Sequence, residues 1–146
     1  MLRFAPLFSL FLFAPATAAP VPKAKVKDAE AFIGKWNATE LLQDGKPSEK
    51  DFLGAIATFD KETFTVTVPK QGDDAMTYKL DPSTKWIDLA PKLPGRGNDM
   101  KGVYELDGDT LVIALGIGVE SLRPKDVKGG PGIVCIKLQR VKEEKK

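Results

Sequence analysis

Residues 101–115 read Lys101-Gly102-Val103-Tyr104-Glu105-Leu106-Asp107-Gly108-Asp109-Thr110-Leu111-Val112-Ile113-Ala114-Leu115. Asp107-Gly108 is the expected turn of this stretch, because an Asp-Gly pair readily takes the positive φ angles of a tight hairpin. With those two residues at the turn, Leu106 faces Asp109, Tyr104 faces Leu111 and Gly102 faces Ile113. Side chains alternate across a strand, so Tyr104, Leu106, Leu111 and Ile113 share one face. Val103, Glu105, Thr110 and Val112 share the other. The stretch predicts a half-buried antiparallel ribbon.

The same alternation recurs on both sides of the hairpin. Phe64, Val66 and Val68 oppose a run of threonines, Met76, Tyr78 and Leu80 point inward, and Ile87 and Leu89 oppose Asp88. In the last apolar run Val134, Ile136 and Leu138 share a face. Eight strands are expected, over 35–42, 55–59, 63–68, 75–80, 86–89, 101–106, 110–115 and 133–141. Turn residues separate most of them, and two longer loops run over 91–99 and 116–132, the second with five glycines and two prolines. Ser48 to Gly54, with a serine at its start and acids behind it, predicts one short helical turn. No long amphipathic helix appears. The pattern predicts an all-β antiparallel sheet, closed into a barrel or folded as a sandwich.

The first residues carry an address. Arg3 precedes an apolar run from Phe4 to Pro15, and Ala16-Thr17-Ala18 offers the small residues of a cleavage site. This is the pattern of a secretory signal peptide over 1–18. The run is too short, and too interrupted by Pro6 and Pro15, for a spanning helix. The expected organisation is a signal peptide over 1–18, a linker over 19–31, one domain over 32–141 and a charged tail over 142–146. The mature protein is expected in the periplasm or outside the cell, with no membrane span. The formal net charge of the whole chain is +2, which gives no electrostatic case for nucleic acid or anionic lipid. Cys135 is the only cysteine, so no internal disulfide forms, and its apolar surroundings predict an inert thiol.

Several fragments, taken in order, resemble a known family. They are Gly34-Lys35-Trp36, Asp44-Gly45-Lys46-Pro47, Thr77-Tyr78-Lys79-Leu80-Asp81-Pro82, Ile87-Asp88-Leu89, the hairpin from Gly102 to Leu111, and Arg123-Pro124. As a set they resemble an uncharacterised domain family, abundant in planctomycete bacteria and often exported. The likeness spans roughly Phe32 to Arg140. That family is lipocalin-like, which implies an up-and-down eight-stranded barrel. The Gly-x-Trp of lipocalins sets a tryptophan in the closed end, so the resemblance implies that place for Trp36. Gly116-Ile117-Gly118-Val119 departs from the polar or proline-rich loop expected after the seventh strand. The family brings no established activity with it.

The residue inventory excludes much chemistry. The chain has no histidine, which removes Ser-His and Cys-His nucleophilic pairs and zinc sites of His and Cys. Asp88 and Glu105 could pair as carboxylates, but both are expected to point outward. Asp107 and Asp109 are explained by a turn and lack a calcium loop around them. The glycines of 116–118 and 129–132 precede no Lys-Ser/Thr pair and no helix, so they make no phosphate loop. An enzyme is not expected, and no metal or cofactor is called for.

Six residues remain as ligand-binding candidates. Trp36, Phe59, Phe64, Tyr78 and Tyr104 either line a calyx or fill the interior, which an eight-stranded barrel is narrow enough to allow. Arg123 in the long loop either makes a structural salt bridge or meets an anionic ligand. The reading is an exported small barrel holding a small apolar molecule. The alternative is a structural or protein-interaction module of the cell envelope, acting through its outer surface and loops. Exposed Val103 and Val112 would motivate that second reading.

Overall fold

The computed structural model describes residues 23–48, 52, 54–95, 97–118 and 122–143. The signal peptide read over 1–18 lies outside these residues, as does most of the turn expected between Ser48 and Gly54. An N-terminal helix α1 (Lys23–Phe32) leads into β1 (Gly34–Gln43) and a short β2 (Lys46–Pro47). Then follow β3 (Ile56–Phe59), β4 (Thr63–Val68), β5 (Gly72–Asp81), β6 (Trp86–Pro91), β7 (Met100–Asp107), β8 (Thr110–Gly116) and β9 (Ile133–Arg140). Each of β3 to β9 pairs antiparallel with the next, and β9 returns to pair with β1. Eight strands therefore close into an up-and-down, lipocalin-like barrel, with β2 folded back as a two-residue flap on β1.

The hairpin that organises the sheet forms, with its turn moved by one residue. Asp107 faces Thr110, Leu106 faces Leu111, Tyr104 faces Ile113 and Gly102 faces Leu115. The turn residues are thus Gly108 and Asp109, and only Gly108, at φ +56°, needs the left-handed region. Glycine at the first central position is the requirement of a type II′ turn, which competes with the Asp-Gly type I′ alternative. The shift changes every partner by two positions, so the faces survive. Leu111 and Ile113 are buried, and Tyr104 is 1% exposed.

Helix α1 is the main departure from the expected linker over 19–31. Pro20 and Pro22 and the missing periodicity argued for irregular chain there. Lys23–Phe32 is nevertheless rich in alanine, lysine and glutamate, which favour helix, and it needs only one buried anchor. Phe32 is that anchor, fully buried at one end of the barrel. Gly34, at φ +132°, then swings the chain from the helix into β1. The helix end is satisfied from the barrel side. Trp36 Nε1 donates to the Phe32 carbonyl at 3.0 Å, and the Arg140 guanidinium donates to the carbonyls of Ala31 and Ile33.

A bulge between Ala38 and Glu40 breaks the alternation of β1. Trp36 and Ala38 face the interior. Leu41 then joins the core rim, and Leu42 moves to the outside.

Gly102 is fixed by space, not by φ. A Cβ there would lie 2.5 Å from the Ala114 carbonyl oxygen and 2.7 Å from Leu115 Cδ2. Backbone cannot yield cheaply in the middle of a closed sheet. Gly102→Ala is expected to destabilise the barrel by about 1–3 kcal/mol, seen as a lower urea midpoint. An unchanged midpoint would show that β7 and β8 have room that the geometry denies.

Candidate functional site

The antiparallel order puts the same kind of chain end at each end of the barrel. The turns 60–62, 82–85 and 108–109 lie with α1 at one end, and the far ends of β1, β4, β6 and β8 lie at the other. The two halves are built differently.

The α1 end is solid. Phe32 packs edge-on to Phe59 at 5.2 Å and to Tyr104 at 4.8 Å, and Phe59 meets Tyr78 at 5.3 Å. Trp36 is fully buried beneath the helix, with the Arg140 guanidinium 4.1 Å above its ring. Polar groups at this end find partners at the edge. Tyr104 Oη donates to Asp28 Oδ2 at 2.9 Å, Lys85 pairs with the same carboxylate, and Tyr78 Oη donates to the Asp60 carbonyl.

The other half is hollow. A cavity of about 360 Å³ is lined inside by Phe64, Val66, Met76, Leu89, Met100 and Ile136, and its mouth is edged by Gln71, Asp73 and Asp74. Among the described residues no polar or charged side chain is buried, so the interior offers a ligand only apolar contact. Of the six candidates read from sequence, Phe64 alone lines this cavity. Trp36, Phe59, Tyr78 and Tyr104 fill the closed end instead. The inward alternation marked Val66, Val68, Met76, Leu89 and Ile136 correctly as interior, but did not say which were walls of a void. That could be read from where each aromatic lies along its strand. Trp36 starts β1, Phe59 ends β3 and Tyr78 lies late in β5, so antiparallel order stacks all three at one end.

Arg123 lies outside the barrel. It donates to the Gly102 carbonyl at 2.7 Å and pairs with Asp88 at 2.7 Å, stacking 4.2 Å over the Trp86 ring. Asp88 sits across from Lys101 and not beside Glu105, so the two acids form no carboxylate pair. Among the described residues no group of three His, Cys, Asp or Glu side chains could hold a metal ion.

Arg123 anchors residues 122–132 as a strap over the outer wall. Pro124 is buried beneath it, Gly132 N donates to Asp44 Oδ1 at 2.7 Å, and Cys135 Sγ donates to the Val127 carbonyl at 3.0 Å. The strap corrects the expectation of an exposed Val103. That side chain is 8% exposed, in a row with buried Ala114 and Cys135 across β7, β8 and β9.

No protein-family model, curated protein or solved structure matches the chain.

Two outcomes follow from these contacts. Burial, and then the charge of Glu40, push the Cys135 thiol above its usual pKa, so alkylation of the native protein is expected to be slow. Arg123→Ala releases the strap and should speed maleimide labelling several-fold. An unchanged rate would mean that Arg123 does not hold it down. At the closed end, burial and the charge of Asp60 raise the Tyr78 pKa. Burial, the hydrogen bond to Asp28 and the charges of Asp28 and Asp81 raise that of Tyr104. A folded-state pKa above the unfolded 10.0 stabilises the protein fully at lower pH and is lost as pH rises past that value. Tyr104→Phe should therefore flatten the fall of the urea midpoint from about pH 9 to about pH 11, and an unaltered slope would refute the linkage.

Proposed function

We propose that this protein is a carrier that holds a small, mostly apolar molecule in the open half of its barrel. The observation that carries the reading is the half-hollow interior, a cavity of about 360 Å³ with an apolar lining and, among the described residues, no buried polar side chain. A dry cavity of ~150 Å³ already takes a benzene ring, so this space suits a body of roughly two such rings or a medium-length alkyl chain. Binding would draw on removal of apolar surface from water, with selectivity set by size. With the leader read over 1–18 and the likeness to an exported planctomycete family, the carrier works in the periplasm or outside the cell.

The surface gives less support to an interaction module. A closed barrel leaves little free edge to which another strand could add, the two-residue β2 being the exception. The exposed large apolar side chains among the described residues are scattered: Ile33 near the closed end, Leu93 near the mouth, Leu122 beside Arg123, and Trp86, whose ring carries Arg123.

Native mass spectrometry of the protein purified from its own cell envelope, before and after organic extraction, tests the carrier directly. A bound small molecule lost on extraction is expected. A neutral naphthalene dye should also bind the extracted protein, and Val66→Phe should weaken it more than about tenfold by filling the wall without lowering the melting temperature. Dye binding that Val66→Phe leaves unchanged would put the site elsewhere, and no binding to either form would end the carrier reading.

A further inference from the structure

We propose that the natural occupant is an amine: an apolar body carrying one positively charged nitrogen that stays at the mouth of the cavity. The proposal rests on the carrier reading and adds the charge of its ligand. A polar group taken into the apolar interior would lose its water and find no partner, at a cost that keeps it at the mouth. The polar side chains that line the cavity there are Gln71, Asp73 and Asp74, all exposed. Asp74 sits across from Val66 and two residues before Met76, both cavity-lining positions. It therefore carries the outermost side chain of the inward-facing row of β5, with only Gly72 beyond it at the opening.

The charged side chains that line the cavity itself, Asp73 and Asp74, carry one sign. Lys92 shares a crevice of about 200 Å³ with Asp73 and Asp74, and Lys70 lies in the turn before them, but neither lysine lines the cavity. A carboxylate end group at the mouth meets like charge, whereas an ammonium meets opposite charge. Met76 and Met100 supply unbranched, polarizable walls that adapt to an alkyl or aromatic body.

Decylamine, decanol and decanoate share one body and differ in charge, and titration calorimetry of the extracted protein at neutral pH separates them. The amine is expected to bind tightest and the carboxylate weakest, about tenfold apart at low ionic strength, with the gap closing in high salt. Asp74→Asn should remove most of the amine's advantage over decanol. Equal binding of all three, or decanoate binding tightest, would overturn the amine proposal and leave the carrier standing. An amine preference that survives Asp74→Asn would overturn the role of this carboxylate. Failure of both decanol and decylamine to bind would remove the carrier reading, and the amine with it.

Discussion

The structure turns on the burial of one ring. Phe32 stands at the end of α1 and touches rings from three strands, Phe59 of β3, Tyr78 of β5 and Tyr104 of β7. Those strands lie on different sides of the barrel, so a single side chain ties the wall together across its interior. The helix reaches this position because Gly34 turns the chain and because Trp36 and Arg140 satisfy the carbonyls at its end. Arg140 also lies 3.4 Å from Asp109, the turn residue of the central hairpin. The end of the last strand, the start of the first, the helix and the β7–β8 turn thus meet in one cluster. A barrel without that cluster would be open at both ends.

A second constraint acts on the outside. Val103, Ala114 and Cys135 form an apolar row on the outer wall, which a bare barrel would expose. Residues 122–132 cover it, and a guanidinium that donates to the Gly102 carbonyl and to Asp88 while stacked on Trp86 secures the crossing. Gly129, Gly130 and Gly132, all at positive φ, allow the sharp reversals that return the chain to β9. Of the described residues of this loop, Ile117 alone joins the cavity rim. This is why Arg123, read as a ligand candidate, proves to be a fastening.

Local pattern made the strands legible because each carries a period-two signal within a few residues. The eight expected strands match the barrel strands to within a few residues at each end, and even the misplaced hairpin turn kept its faces. What was not legible depends on contacts between distant segments. The helix holds to the barrel through one fully buried ring and the Asp28 carboxylate among its described side chains, and its meaning appears only with the rings of β3, β5 and β7 around Phe32. The bulge at Ala38 and Glu40 leaves only a faint trace, inward residues spaced by three from Ala38 to Leu41. Val103 looks exposed on its own strand because its cover is drawn from a loop roughly twenty residues away. The candidate site was half visible: its wall residues were read as inward, but the aromatics drew attention to the end that is filled.

The contrast between the two ends bears on function more than either end alone. The strands that line the cavity, β4 to β9, also run through the closed half, so strand number alone does not explain why one half is packed and the other hollow. Residue choice does. At the closed end, rings of phenylalanine, tyrosine and tryptophan meet across the axis. Toward the mouth Phe52 and Phe64 are the rings of the lining, and Val66, Val68, Met76, Leu89, Met100 and Leu115 are smaller or more flexible side chains. A chain able to fill a barrel cross-section with aromatics at one end could do so at the other, and would gain stability from the burial. Apolar walls kept apart around open space are unfavourable in water until something enters. The carrier proposal accounts for that void as the place of its ligand.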